Sequence, residues 1–392
     1  MNTSSACLLR TMLGLLSIWL CHDVAATDEG IRYSCRPDRL ARIEKGMPKY
    51  FASLGIARSL VVTKAERANG NLIFTLNTPK DDVDTLRLNQ RPEYALRDHV
   101  VRLPAGHGKM RQVMTVSRKE IVLALLQHGR LTEFSGENCT LEALKDLVGL
   151  RQNIVAWSED LNWLWPDGES AAWNAKYWRE GTPLPNVSLR AAFNDAFASQ
   201  GKYSIGCYTA TKLVFIQGTL DYYHRVRKDP SRLKWIEARL AADQEPLLDV
   251  EPGSMWSFEK GFDPAELIRP GKVLQIQRGI AARNFVPGDW IYLLNTDPVS
   301  AQKTGYEGSN AIYLGRNKFD DYYNDNSHSY TYAQKLDEVH QWRNGVFNRI
   351  RDAAKIRILS AEDLDRLGRP PIEGGLMMDF RVSPIHLISA NN

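Results

Sequence analysis

The chain has 392 residues, 50 basic and 46 acidic, with a formal net charge of +4. Charge so nearly balanced, with no basic block or basic-aromatic stripe, argues against a nucleic-acid partner. The length suits one large domain or two modest ones, and neither repeats nor a low-complexity tract interrupts it.

The first residues read as a targeting segment. Arg10 precedes an apolar run from Met12 to Cys21, and Val24-Ala25-Ala26 supplies small residues before a cut, so residues 1–26 are expected to be a secretory signal peptide. The run is too short for a transmembrane helix, and no later segment is apolar for long enough, so no stable membrane insertion is expected. The mature product is then secreted or periplasmic. Export leaves Cys35, Cys139 and Cys207 of the five cysteines. An oxidising compartment pairs what it can, and the expected disulfide is Cys35–Cys139, with Cys207 keeping its thiol.

From Cys35 to about Leu54 the pattern is helical, with Leu40, Ile43 and Met47 on one face. Ser59–Thr63 and Leu72–Leu76 read as strands split by Asn69-Gly70-Asn71, a hairpin signal. The polar stretch from Asp81 to Arg111 resists assignment. Ser117-Arg118-Lys119-Glu120 reads as a capping box opening a helix through Leu126, stopped by Gly129. Helices are expected over Thr140–Trp157 and Leu189–Ala198. The aromatic residues between Trp157 and Trp178 suit either a groove lining or a core layer.

Cys207 closes a short polar, glycine-containing stretch, Tyr203-Ser204-Ile205-Gly206, and opens a helical pattern through Ala210, Leu213, Val214, Gln217 and Leu220 toward Val226. A thiol at a helix N-terminus sits at the positive end of the dipole, which favours the nucleophilic thiolate. A buried small core residue is the competing reading. The last third changes character. Trp290–Leu294, Ala311–Leu314 and Ser329–Ala333 read as strands, and the tail beyond Gly368, with two proline and glycine pairs, reads as weakly packed. Helices followed by strands predict an α+β domain. A cysteine-bearing helix against an antiparallel sheet that supplies a histidine is the papain-like arrangement, because the histidine must take and return the thiol proton.

The order of these pieces resembles the spore-type bacterial protein-glutamine gamma-glutamyltransferases over roughly residues 133–360. The resemblance rests on Asn153-Ile154-Val155-Ala156, Tyr177-Trp178-Arg179, Cys207-Tyr208-Thr209-Ala210 and Leu220-Asp221. It continues through Gly288-Asp289-Trp290-Ile291-Tyr292, Asn295, Asp297-Pro298 and Gly308-Ser309-Asn310-Ala311-Ile312-Tyr313-Leu314-Gly315, with a histidine on the next strand. It implies a papain-like fold with residues 133–360 as the catalytic domain and 27–132 as an N-terminal extension; the composition of the end of the chain makes 361–392 a loosely packed tail. The resemblance also implies a cysteine thioester with protein glutamine, resolved by a lysine or other primary amine, with neither cofactor nor metal. Cys207 is then the nucleophile and His328 the base, beyond an insertion running through Asn317–Asp325.

Two family carboxylates are missing, replaced by Gly206 and Ser309. Glu307, two residues before Ser309, is expected on the same strand face and serves as the replacement. Ser309, Asn310, Tyr306 and Trp256 are the expected substrate-binding residues, the last two as aromatic walls of a tunnel. His224 and His340 read as surface residues, and His107 lacks a second ligand at metal-binding spacing. Two other readings stay open: a papain-like cell-wall amidase, endopeptidase or deamidase, and a degenerate binding or scaffold protein.

Overall fold

Short strands and longer helices alternate along this chain. A computed structural model describes residues 29–106, 108–166, 168–242, 274–320, 322–323, 329–347 and 352–384. The expected signal peptide and the residues His107, Trp256 and His328 lie outside them.

The N-terminal part runs β1 (Gly30–Ser34), α1 (Pro37–Ser53), β2 (Val61–Glu66), β3 (Asn71–Leu76), β4 (His99–Pro104), β5 (Met110–Thr115), α2 (Arg118–Leu126) and β6 (Leu131–Ser135). The hairpin between β2 and β3 turns at Gly70, whose φ of +66° is the left-handed conformation glycine adopts without strain. Four strands form one sheet in the order β2-β3-β1-β6, with β1 and β6 parallel. β4 and β5 form a separate hairpin inside the stretch the sequence left unassigned. Their outward residues alternate polar and apolar too weakly to announce a strand. The Ser117 hydroxyl accepts from the Glu120 amide, whereas the Glu120 carboxylate turns away and accepts from the Arg316 amide.

There follow α3 (Leu141–Glu159), β7 (Trp178–Arg179), β8 (Thr182–Pro183), α4 (Leu189–Ala198), α5 (Cys207–Asp221) and α6 (Pro230–Ala242). Side chains of Thr140 and Ser188 cap α3 and α4. α3 and α5 approach closely at Gly218, where a Cβ would stand 2.8 Å from the Ile154 Cα. Their register is fixed by polar bonds. Asn153 Nδ2 donates to the Gly218 carbonyl (2.7 Å) and to Asp221 (3.1 Å), and the Trp157 indole donates to Asp221 at 2.9 Å. The motif residues Asn153 and Asp221 thus lock two helices together.

The C-terminal part comprises β9 (Gln275–Arg278), β10 (Trp290–Leu294), β11 (Gly308–Gly315), β12 (Lys318–Asp320), β13 (Ser329–Tyr330), α7 (Tyr332–Gln341), α8 (Ala361–Leu367) and β14 (Phe380–Ser383). Six of these strands make an antiparallel sheet ordered β13-β12-β11-β10-β14-β9. α3 and α5 pack on one face against β11, and α7 packs on the other. The mixture is α+β, with the cysteine-bearing helix laid on an antiparallel sheet.

Two expectations are corrected here. Residues 329–333 are not one strand, because Thr331 and Gln334 form a reciprocal capping box that starts α7. Residues 361–392 are not loose as far as they are described: β14 inserts between β10 and β9 with all four residues buried. Phe380 and Val382 enter the main core, while the Arg381 guanidinium lies 4.3 Å over the Phe285 ring and donates to the Met378 and Phe380 carbonyls. The boundary placed between residues 132 and 133 falls within β6, and the main core draws side chains from both sides of it. A bridge between Cys35 and Cys139 ties α1 to the start of α3.

Candidate active site

A residue at the first turn of a helix is placed by the two elements that the helix packs between. Cys207 opens α5, and Gly206 before it offers no side-chain cap. The cysteine faces the start of β11. Its Sγ–H reaches toward the Gly308 carbonyl at 4.0 Å, and Asn310 Nδ2 donates to the sulfur at 3.5 Å. Asn310 is 4% exposed, and its other amide atom, Oδ1, accepts from the Trp290 indole at 2.9 Å.

Strand alternation explains which neighbours Cys207 receives. On β11, Ile312 belongs to the core beneath α5, whereas Ala311 and Tyr313 belong to the core under α7. Gly308 and Asn310 share the face of Ile312, so Ser309 points to the α7 side. Ser309 is buried there, opposite Leu293, and does not line the cavity beside Cys207. Its side chain is therefore not where a substrate-binding role beside Cys207 was expected to put it.

That cavity, of about 500 Å³, is walled by Trp165, Pro166, Tyr208, Tyr292 and Gly308, with Glu169 and Glu307 at its edge. Glu307 reaches it for a reason alternation does not give. β11 begins at Gly308, so Glu307 belongs to the preceding turn, where its carboxylate accepts from the Gly305 amide at 3.1 Å. Its main-chain carbonyl accepts from Asn295 N at 3.0 Å and from the Tyr292 hydroxyl at 3.2 Å. Burial first, and then the negative charges of Cys207 and Glu307, push the Tyr292 phenol well above its ordinary range. Tyr292 thus stays protonated and donating.

Tyr306 is not a wall of the cavity. It is 1% exposed, packed edge-on against Trp342 and Phe347 at 5.1 and 4.5 Å, and stands behind Trp165. Trp165, held against Tyr323 at 4.8 Å, stands in the wall in its place. The Trp157–Trp178 segment signalled it only as one of several aromatics. The expected base His328 and the expected wall Trp256 lie outside the described residues. None of His99, His128, His224 or His340 lines the cavity. Tyr322, beyond β12, reaches α5 one turn after Cys207, where its hydroxyl bonds that of Thr211 at 2.9 Å.

Several motif residues build the frame. Asp289 is fully buried and accepts from Arg130 at 2.5 and 2.9 Å and from Arg151 at 3.0 Å. Burial opposes its charge, but the two guanidiniums hold the carboxyl below its ordinary range. Asn295 Nδ2 donates to Ser300 and to the Tyr306 carbonyl, shaping the turn that delivers Glu307. Among the described residues no group of histidine, cysteine and carboxylate side chains is arranged to hold a metal ion, and no helix is long and apolar enough to cross a membrane.

The family model for protein-glutamine gamma-glutamyltransferase matches residues 107–326, more than half of the chain. The match begins inside the segment read as an extension and stops two residues before His328. No curated protein matches the chain. A transglutaminase from Geobacillus stearothermophilus, without its C-terminal extension, is similar at 17% identity and a TM-score of 0.39, covering 64% of this chain and 100% of that one.

Proposed function

Since the chain belongs to the protein-glutamine gamma-glutamyltransferase family, we propose that it transfers the γ-acyl group of protein glutamine through a thioester on Cys207. The observation that carries this reading is the position of Cys207, at the start of α5 and on the wall of a cavity of about 500 Å³. The thiolate attacks the glutamine amide carbon, and the C–N bond breaks with release of ammonia. A primary amine then attacks the thioester, forming the isopeptide bond and restoring the thiol. His328 is the proposed carrier of the proton to ammonia and from the incoming amine. The apolar cavity walls suit an alkyl stem, and Glu169 and Glu307 at its edge suit the ammonium of an amine donor. Glu307 is the proposed replacement for the family carboxylates. The Cys35–Cys139 bridge supports an exported protein working in an oxidising compartment.

Incorporation of a labelled primary amine into casein, with ammonia release followed in parallel, tests the reading. Incorporation by the wild type and its loss in Cys207→Ala are the expected results. One observation favours a second, hydrolytic reading: Glu169, Ala171 and Thr304 are exposed where they line the cavity, so water reaches its edge. Ammonia release without incorporation would select that reading. Absence of both signals in reductant would leave a binding or scaffold role.

A further inference from the structure

The chain Trp290–Asn310–Cys207 has a direction, and the direction has a chemical consequence. An indole Nε1–H only donates, so the Asn310 atom facing Trp290 at 2.9 Å is the acceptor oxygen. The amide NH2 must then face the Cys207 sulfur, at 3.5 Å. Both side chains are under 8% exposed, and the indole packs against Tyr208 at 5.3 Å and Phe215 at 5.9 Å, so neither rotates cheaply. The Asn310–Tyr292 register pair places this donor on the sheet face that the cavity opens onto.

We propose that Asn310 is a catalytic residue that stabilises the Cys207 thiolate by hydrogen bonding, and that Trp290 is the positioning residue that keeps the donor end of its amide on the sulfur. A hydrogen bond to the charged form favours that form, and it adds to the field of the α5 N-terminus. The Gly308 carbonyl, an acceptor on the same sulfur, serves only the protonated thiol. Deprotonation therefore drops one partner and keeps the other: the S–H bond breaks, its proton leaves to the base, the contact with the Gly308 carbonyl is lost, and the sulfur keeps the bond from Asn310. Without the indole N–H, the amide of Asn310 can turn over and present its oxygen, which repels the thiolate.

This inference deepens the thioester reading and rests on it for the catalytic role, but its test does not require turnover. The pH dependence of Cys207 alkylation by iodoacetamide, read as the Cys207 adduct by mass spectrometry on the full oxidised chain, reports the thiolate directly. Asn310→Ala should raise the midpoint by about one pH unit, roughly a tenfold loss of thiolate below it. Asn310→Asp, nearly isosteric and still able to accept from the Trp290 indole, should raise it further by placing a like charge at the sulfur, and a melting curve checks that this buried substitution leaves the protein folded. Trp290→Phe keeps the ring packing and should give an intermediate rise. Alkylation profiles of Asn310→Ala and Asn310→Asp that overlay the wild type would overturn the proposal. Shifted profiles in a protein that incorporates no amine would uphold Asn310 while removing the acyl-transfer reading.

Discussion

A Cβ built on Gly308 would lie 2.2 Å from the Tyr292 hydroxyl and 2.6 Å from the Leu293 carbonyl, so the strand beside Cys207 accepts no side chain at this position. Gly308 also supplies a carbonyl that the Cys207 thiol reaches at 4.0 Å. Gly308→Ala should therefore push β10 and β11 apart beside Cys207. We expect a stability loss of about 1–3 kcal/mol and a fall in amine incorporation far exceeding that of a surface control. Urea titration and the casein assay check both. A fully active Gly308→Ala enzyme would contradict the geometry.

Glu307 tests the proposed handling of the amine. Glu307→Gln can still accept from the Gly305 amide, so the turn and the melting temperature should not change. The lost charge should raise KM for a cationic amine donor several-fold while leaving KM for the glutamine substrate unchanged. Hydroxylamine, neutral at pH 7, should be affected least. Equal effects on both donors would speak against an electrostatic role for this carboxylate.

The Cys35–Cys139 bridge closes a sequence separation of 104 residues. Constraining so long a loop in the unfolded chain contributes on the order of 2–5 kcal/mol. A Cys35→Ala, Cys139→Ala double variant should unfold at lower denaturant by that margin. Its midpoint should also be indifferent to reductant, whereas the wild type's should fall to meet it. A wild type insensitive to reductant would show that the bridge contributes little.

Glu120 provides the pH signature. Burial pushes its carboxyl up to about 7, with the Arg316 amide pulling the other way. A carboxyl raised on folding binds a proton that the unfolded chain has already released above pH 4.5, so stability falls as pH rises from about 4.5 to 7. The whole effect is on the order of 3 kcal/mol at neutral pH. Glu120→Gln should be more stable than wild type at pH 8, and the two should converge near pH 4.5. Differential scanning calorimetry across that range would show parallel curves if Glu120 carried no such linkage.

What was readable from sequence was what forms locally. Helix α5 with Cys207 at its head, the Ser117 cap and the hairpin at Gly70 each depend on residues within a few positions, and their side chains state it. Strands β1, β6, β9 and β14 were not readable. They are four or five residues long, carry polar residues such as Arg32, Glu133 and Arg381, and gain their hydrogen bonds from distant partners. The buried guanidinium of Arg381 was hidden for the same reason, since its partners are an aromatic ring and two carbonyls brought there by the fold.

The sequence by itself determined the family, the α+β class and the place of Cys207 at the head of a helix, because a cysteine beginning an apolar helix and the ordered motifs are linear facts. Only the tertiary structure decided which neighbours the sulfur meets. The start of β11 at Gly308 put Asn310 on the sulfur, sent Ser309 to the opposite core, and released Glu307 from strand alternation into the turn beside the cavity. Tyr306 was withdrawn behind Trp165. Those assignments depend on where a strand begins and which face its partner helix covers, and a one-residue slip of β11 would exchange the faces of Ser309 and Asn310.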